Sequence, residues 1–202
     1  MSPALTLLID ALADVFETEE SPDGRTVAEA LRDHRTACPA FDLRVLDMID
    51  ETQHLCLSRG AMPAAGYADT IWAMLPWYHP GLDSGNITAT VARQMLTCEL
   101  LGPDGLIFCP DLRVGLFVQA GDVDYPARCH ASDETFVMLA GAGLWQCGDK
   151  SWRRAGPGEH IHHPSMTAHQ SRSDQGPFLA AWRWTGDIGW DSYRLGGLAD
   201  AA

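Results

Sequence analysis

The chain has 202 residues, about the length of a single domain. Hydrophobic residues make up 46% and charged residues 20%, a balance that excludes a disordered chain. With 27 acidic and 14 basic residues the formal net charge is −13. An acidic surface repels phosphate groups, so neither nucleic acid nor an anionic membrane is expected as a partner.

The hydrophobic runs are too short for a membrane span, which needs about 20 apolar residues. The longest early run, residues 4–15, is broken by Asp10 and Asp14 and has no basic leader, so we do not interpret it as a signal peptide. The sequence therefore predicts a cytoplasmic protein. Its six scattered cysteines are expected to be reduced thiols.

The first 86 residues are predicted to form a helical region. Apolar residues at spacings of three and four favour an amphipathic first helix. Turn chemistry at residues 21–24 then interrupts the chain, and Thr26 with Glu29 is predicted to cap the second helix. The predicted helices span residues 4–15, 26–31, 41–57 and 67–75.

From about Ile87 the pattern changes to short β-rich runs separated by Gly, Pro and Asp. Many short strands with turn signals between them favour an antiparallel sandwich or a small barrel. The predicted strands span residues 88–100, 113–120, 134–140, 143–147, 160–163 and 178–184. Trp77, Tyr78 and His79 precede this region, where they could cover a pocket or pack at the boundary.

A metal site is predicted from the spacing of three potential ligands. His130 and Glu134 are four residues apart, between glycines, and His169 follows on a later strand. At a strand end or bend, the first two side chains can point into one barrel mouth. Two neutral imidazoles and one carboxylate leave metal positions open for substrate, which suits a divalent transition metal and Lewis-acid chemistry. A chance or surface His–Glu pair is the alternative interpretation.

His160, His162 and His163 form a second group of histidines. In a strand, His160 and His162 face one side and His163 the other, so at most two can converge. We expect polar barrel-wall or surface positions for them rather than metal ligation.

The metal pattern resembles the two motifs of the cupin barrel, the first of which reads G-x5-HxH-x3-4-E-x6-G. The matching residues are His130, Glu134 and Gly141 in the first motif, and Pro157, Gly158, Pro164 and His169 in the second. Arg128 stands where the first motif has its first histidine. The resemblance implies a mainly β fold. Residues 87–202 would form a double-stranded β-helix barrel, and the helical region 1–86 would pack against it.

Residues 112–117 and 120–126, ahead of the metal motif, resemble the cupin-type dimethylsulfoniopropionate (DMSP) lyases, most specifically from Arg113 to Trp184. The resemblance implies β-elimination of DMSP to dimethyl sulfide and acrylate. It also implies one divalent transition metal (Zn, Fe, Mn or Ni) at the substrate carboxylate and a tyrosinate base. Since cupins of this kind often pair, a homodimer is expected.

Two positions depart from the pattern of these lyases. Phe136 stands where the family has a tyrosine, so Tyr125 is the remaining candidate base; an ordinary strand tyrosine is the other interpretation. Arg128 would repel a sulfonium beside it but could clamp a carboxylate or phosphate, which argues for an anionic substrate. Alternatively, Arg128 turns outward and pairs with Asp124 or Asp133.

Trp182 and Trp184 lie one strand step apart and can therefore face the same side. Together with Phe136 and Arg128 they are predicted to contact substrate, each tryptophan holding a sulfonium by a cation–π contact of about 0.5–2 kcal/mol. Two packed core tryptophans are an equally good interpretation. Three functions remain open: a DMSP lyase, a related enzyme acting on another small carboxylate, and a non-catalytic ligand-binding cupin.

Overall fold

The computed structural model describes residues 3–34, 55–56, 58–81, 87–174 and 176–195. Helices dominate the first part of the chain, as the hydrophobic periodicity predicts. They are α1 (Pro3–Glu17), α2 (Pro22–His34), α3 (Pro63–Thr70) and α4 (Ala89–Ala92), with a 3-10 turn at Trp72–Met74. The predicted helix 41–57 lies outside the described residues apart from positions 55 and 56.

Three elements start four or more residues away from their predicted first residue. The second helix starts one turn before Thr26, because Pro22 opens it and the Ser21 hydroxyl accepts a hydrogen bond from the Asp23 amide at 3.3 Å. The helix predicted over 67–75 begins earlier and ends in the 3-10 turn. The strand predicted from residue 88 starts only at Met95, because Thr88 caps α4 through the Val91 amide.

The strands form two facing sheets, which confirms the mainly β cupin barrel with a helical N-terminal region. One sheet has the order β2-β1-β3-β10-β5-β8 and the other β11-β4-β9-β6-β7. In chain order the strands are β1 (Met95–Gly102), β2 (Ile107–Phe108), β3 (Arg113–Gln119), β4 (Asp124–Cys129), β5 (Ser132–Gly141), β6 (Gly143–Cys147), β7 (Arg153–Ala155), β8 (His160–His163), β9 (His169–Arg172), β10 (Phe178–Gly186) and β11 (Arg194–Leu195).

The six-stranded sheet separates two apolar cores. Because side chains alternate along a strand, Trp182 and Trp184 of β10 face the barrel interior, whereas Leu179 and Ala181 pack with the helices on the outer face. The outer core joins α1, α2 and α3 to the sheet. The domain boundary between residues 86 and 87 therefore remains a prediction, because the helices and the barrel share one apolar core.

A buried ion pair fixes the helices to the barrel. Arg183 lies between the two tryptophans on β10 and points outward, fully buried. Its guanidinium donates to the Glu19 carboxylate just after α1 and, at 2.9 Å, to Asp133 Oδ1. The Thr135 hydroxyl donates to the same Glu19 carboxylate at 2.8 Å. Within the described parts of the chain, no helix is long and apolar enough to cross a membrane.

Candidate active site

The three predicted metal ligands lie together on the inner wall of the barrel. His130 follows the end of β4, Glu134 lies in β5 and His169 opens β9, and all three side chains are buried. Glu134 Oε2 lies 3.6 Å from His130 Nε2 and 3.1 Å from His169 Nε2. One ligand atom from each residue falls within 4.8 Å of the others, so the group could hold a metal ion.

The hydrogen bonds of both histidines favour the tautomer that a metal requires. His130 Nδ1 lies 3.2 Å from the Ser132 carbonyl, and His169 Nδ1 lies 2.9 Å from the Thr167 carbonyl. A carbonyl only accepts, so these contacts favour a proton on Nδ1 and a free lone pair on Nε2; the Ser132 hydroxyl, 3.0 Å from His130 Nδ1, can accept from the same N–H. Both Nε2 atoms are buried and have no hydrogen-bond partner among the described residues. The residues therefore fit a bound metal.

Glu134 is held by two further side chains. Trp184 Nε1 donates to Oε1 at 2.6 Å, and His163 Nδ1 lies 2.9 Å from Oε2. Burial alone would raise the pKa of Glu134, but the neighbouring histidines, His130 foremost, hold it well below its usual value. Burial lowers the pKa of His169 to about 3 and also lowers that of His163. Glu134 is therefore charged and His169 neutral, the forms in which a carboxylate and an imidazole bind metal.

The second group of histidines divides as the strand alternation predicts. His162 is exposed and pairs with Asp133 at 2.8 Å, and His160 is half-buried against the Val15 carbonyl. His163 faces inward and is buried, so it takes the barrel-wall position, one of the two that were expected. Its ring stacks on His169 with centroids 4.1 Å apart. It is a barrel-wall residue that orients Glu134, which its position directly opposite Glu134 in the β5–β8 ladder explains.

A β-bulge places Tyr125 and Arg128 on the same face of β4. Tyr125 opposes Ser171 and Arg128 opposes His169, so three steps on β4 match two steps on β9. The extra residue is accommodated at Pro126 and Ala127, where a proline lacks the amide needed for the ladder. Both Tyr125 and Arg128 consequently point into the barrel, although regular alternation would separate them.

Tyr125 has a partner that the sequence motifs did not indicate. Its hydroxyl lies 2.9 Å from the hydroxyl of Tyr193, and its ring packs 5.8 Å from that of Phe117. Tyr193 precedes β11 and stacks parallel to His130. Burial raises the pKa of Tyr193 well above its ordinary value, and the neighbouring Tyr125 adds to the shift. Tyr193 therefore stays a hydrogen-bond donor at neutral pH.

The outward alternative for Arg128 is wrong. Asp124 pairs with Arg172 and Asp133 pairs with Arg183, so both acids have other partners. Arg128 is 2% exposed, and its guanidinium carbon lies 3.9 Å from the centre of the Tyr125 ring. Among the described residues, neither Nη1 nor Nη2 has a hydrogen-bond partner.

These residues open onto a cavity of about 760 Å³, a size typical of small-molecule sites. Its wall includes all the predicted site residues except His169: Tyr125, Arg128, His130, Glu134, Phe136, Trp182 and Trp184. Phe136 closes one side by edge contact with Phe117, its ring centroid 5.7 Å away. Trp182 packs over Gly115, where a Cβ would come 2.6 Å from the indole ring.

An acidic group that the sequence analysis missed lines the same cavity. Glu99 Oε2 and Asp104 Oδ2 lie 2.6 and 2.8 Å from Arg113 Nη1, so two carboxylates share one guanidinium. Burial raises the pKa of Glu99, an effect that Arg113 opposes. Tyr78 also lines the cavity, whereas Trp77 packs against Trp72. No local motif marks these residues, since they meet only in the folded sheet.

The two sheets and the buried His–Glu–His group define the class of protein, a cupin with a site that could hold a metal ion. Residues 48–180 match the family of dimethylsulfoniopropionate lyases, and the chain therefore belongs to that family.

Two curated relatives share part of their length with this chain. It is 32% identical over 89 residues to the dimethylsulfoniopropionate lyase DddQ of Ruegeria pomeroyi, which covers 44% of each protein. It is 31% identical over 102 residues to the putative dimethylsulfoniopropionate lyase DddL of Cereibacter sphaeroides, covering 50% of this chain and 42% of that protein. The aligned segments thus span less than half the length of either relative.

The fold is similar over nearly the whole chain to a solved structure. The crystal structure of DMSP lyase DddQ from Ruegeria pomeroyi superposes with a TM-score of 0.70, covering 96% of this chain and 97% of that one. At 20% identity this likeness concerns the fold alone.

Proposed function

We propose that this protein is a metal-dependent carbon–sulfur lyase that cleaves DMSP to dimethyl sulfide and acrylate by β-elimination. The observation that carries the proposal is the buried His130, Glu134 and His169 group, which adjoins a cavity that also holds Tyr125. Membership of the DMSP lyase family, whose curated relatives bear that activity in their names, supports the same reaction.

His130, Glu134 and His169 would hold one divalent transition metal, and Zn, Fe, Mn and Ni all accept this ligand set. When bound, the metal would supply Lewis-acid stabilisation of the negative charge that develops as the substrate loses its proton. Trp184 and His163 keep the Glu134 carboxylate in its ligating orientation through hydrogen bonds of 2.6 and 2.9 Å.

Tyr125 is the proposed base. In its deprotonated form, Tyr125 would take the proton from the carbon next to the carboxylate, and the electron pair of that C–H bond would form the double bond of acrylate. The C–S bond to the next carbon breaks and dimethyl sulfide leaves with its electron pair. The Tyr193 hydroxyl, 2.9 Å away, donates a hydrogen bond to the Tyr125 oxygen and holds it toward the cavity.

Trp182 and Trp184 are proposed to hold the sulfonium. Both line the cavity, with ring centroids 6.0 Å apart and planes at 64°. Their indole N–H groups already donate to the Leu116 carbonyl and to Glu134, so the rings are fixed. Fixed aromatic faces attract a cation at about 0.5–2 kcal/mol each. Phe136 is proposed to complete this apolar wall.

The test is headspace detection of dimethyl sulfide from purified protein of measured metal content. Tyr125→Phe should lower the rate by about 100- to 10,000-fold with metal content unchanged, since a general base contributes that much. Tyr67→Phe is the matched control, because Tyr67 packs among the helices and outer sheet and not at the cavity. Full activity in Tyr125→Phe would show that the base is assigned wrongly.

A second candidate is the same elimination on another small carboxylate. It is favoured by Arg128 and Phe136, which stand where the related lyases carry a histidine and a tyrosine. No dimethyl sulfide from fully metallated protein would refute the first candidate and favour the second. A homodimer and a cytoplasmic location remain predictions, and light scattering on the purified protein tests the former.

A further inference from the structure

The cavity contains a buried cation whose hydrogen-bonding groups are unused. Arg128 is 2% exposed, and among the described residues its Nη1 and Nη2 atoms have no hydrogen-bond partner. We propose that Arg128 is the carboxylate-binding group of this site and that its ligands are short carboxylates bearing a positive charge at the other end. This inference rests on the proposed function for the identity of the reaction, but not for the binding chemistry.

The buried charge of Arg128 favours an anionic ligand. A buried guanidinium without a partner is strongly unfavourable, and proteins normally pair it with an acid. The acids nearest in sequence, Asp124 and Asp133, pair with Arg172 and Arg183, and Glu134 is engaged by His163 and Trp184. An anion in the cavity would supply the partner that the described residues do not.

The planar shape of the Arg128 guanidinium suits a carboxylate. A guanidinium is planar, and its parallel N–H groups match the two oxygens of a carboxylate. The guanidinium of Arg128 stacks on the Tyr125 ring at 3.9 Å, so it is held in one orientation. The bulge in β4 that turns Arg128 inward also turns Tyr125 inward. A carboxylate on this fork therefore lies on the same wall as the proposed base.

The cavity wall on the six-stranded sheet is acidic and aromatic. Glu99 and Trp182 both oppose Gly115, one on each neighbouring strand, so an acid and an aromatic ring flank a position without a side chain. Glu99 and Asp104 carry two carboxylates against the single guanidinium of Arg113. The cavity thus offers a cation on β4 and an acidic, aromatic surface on the six-stranded sheet. A zwitterion fits this polarity with its carboxylate toward Arg128 and its sulfonium away from it.

The experiment compares a carboxylate with its neutral amide on metal-loaded protein. Propionate and propionamide are titrated by calorimetry into the wild type, Arg128→Met and, as a matched control, Arg154→Met, whose exposed side chain pairs with Asp174. The wild type and the control should bind propionate at least 10-fold more tightly than propionamide. Arg128→Met should lose about 10- to 100-fold in propionate affinity, the range expected for hydrogen bonds to a charged group, with unchanged metal content.

Equal propionate affinity in Arg128→Met and the wild type would overturn the proposal. If Arg128→Met does not fold, Arg128→Lys gives the same test, because an ammonium keeps the charge but lacks the fork, and undiminished affinity there overturns the proposal equally. These measurements distinguish failure of the carboxylate subsite from failure of the lyase reaction. Arg128-dependent propionate binding without dimethyl sulfide release supports the subsite and refutes the reaction. Dimethyl sulfide release with an unchanged KM in Arg128→Met supports the reaction and refutes the subsite.

Discussion

Replacing Arg183 by methionine should destabilise the whole protein, because this side chain joins the helices to the barrel. It is fully buried and donates to Glu19, to Asp133 at 2.9 Å and to Thr185 at 3.0 Å. Methionine fills a similar volume but leaves the 4%-exposed Glu19 carboxylate without its cation. Breaking a buried pair from one side costs about 3–5 kcal/mol.

For a chain of this length each kcal/mol lowers Tm by about 2–4 °C, so the expected fall is about 6–20 °C. Urea unfolding followed by tryptophan fluorescence measures the free energy directly. Arg154→Met, which breaks an exposed pair with Asp174, should cost at most about 1 kcal/mol. The double variant Arg183→Met/Glu19→Leu should recover part of the loss, because no unpaired carboxylate stays buried. A loss in Arg183→Met no larger than in Arg154→Met would refute the reasoning.

Two further predictions concern the inner wall. His163→Phe keeps the stacked ring but removes the hydrogen bond to Glu134. Metal affinity, measured by chelator competition, should therefore fall about 10- to 100-fold. Unchanged affinity would contradict the proposal that His163 orients Glu134. Gly115→Ala should lower stability and raise the KM for DMSP, because the new Cβ would lie 2.0 Å from the Cys98 carbonyl and 2.6 Å from Trp182. Gly66→Ala in α3 meets nothing within 4 Å and should instead stabilise by about 0.5–1 kcal/mol, with KM unchanged.

The metal group could be predicted from the sequence because its residues sit in two short motifs. His130 and Glu134 are only four residues apart, and His169 ends a recognisable strand–turn pattern. Strand alternation also separated His163 from His160 and His162 correctly. The same period of two predicted that Trp182 and Trp184 share one side of their strand, and the structure places both on the cavity wall.

The remaining site residues depend on contacts that no local pattern contains. The orientation of Arg128 is decided by the bulge in β4, which regular alternation does not anticipate. Glu99 reaches the cavity from β1 and Tyr193 from the turn before β11, two segments far apart in the chain, so only the folded barrel brings them together. The strands β2, β4, β7 and β11 were not predicted, and β9 was expected only as the later strand that carries His169. Both β4 and β9 are short and polar, with exposed residues among the buried ones.

The edge strand β11 has a consequence for how the cavity is reached. Among the described residues it pairs with β4 at Arg194, opposite Cys129, and at Leu195, opposite Arg128. The turn before it supplies Trp190 and Tyr193 to the cavity wall. Separating these two pairs would leave both main sheets intact, whereas the Tyr125–Tyr193 hydrogen bond and the packing of Trp190 on Trp184 oppose it. Movement of residues 190–195 would therefore change the cavity wall without disrupting either main sheet, and hydrogen exchange at these amides measures how readily it occurs.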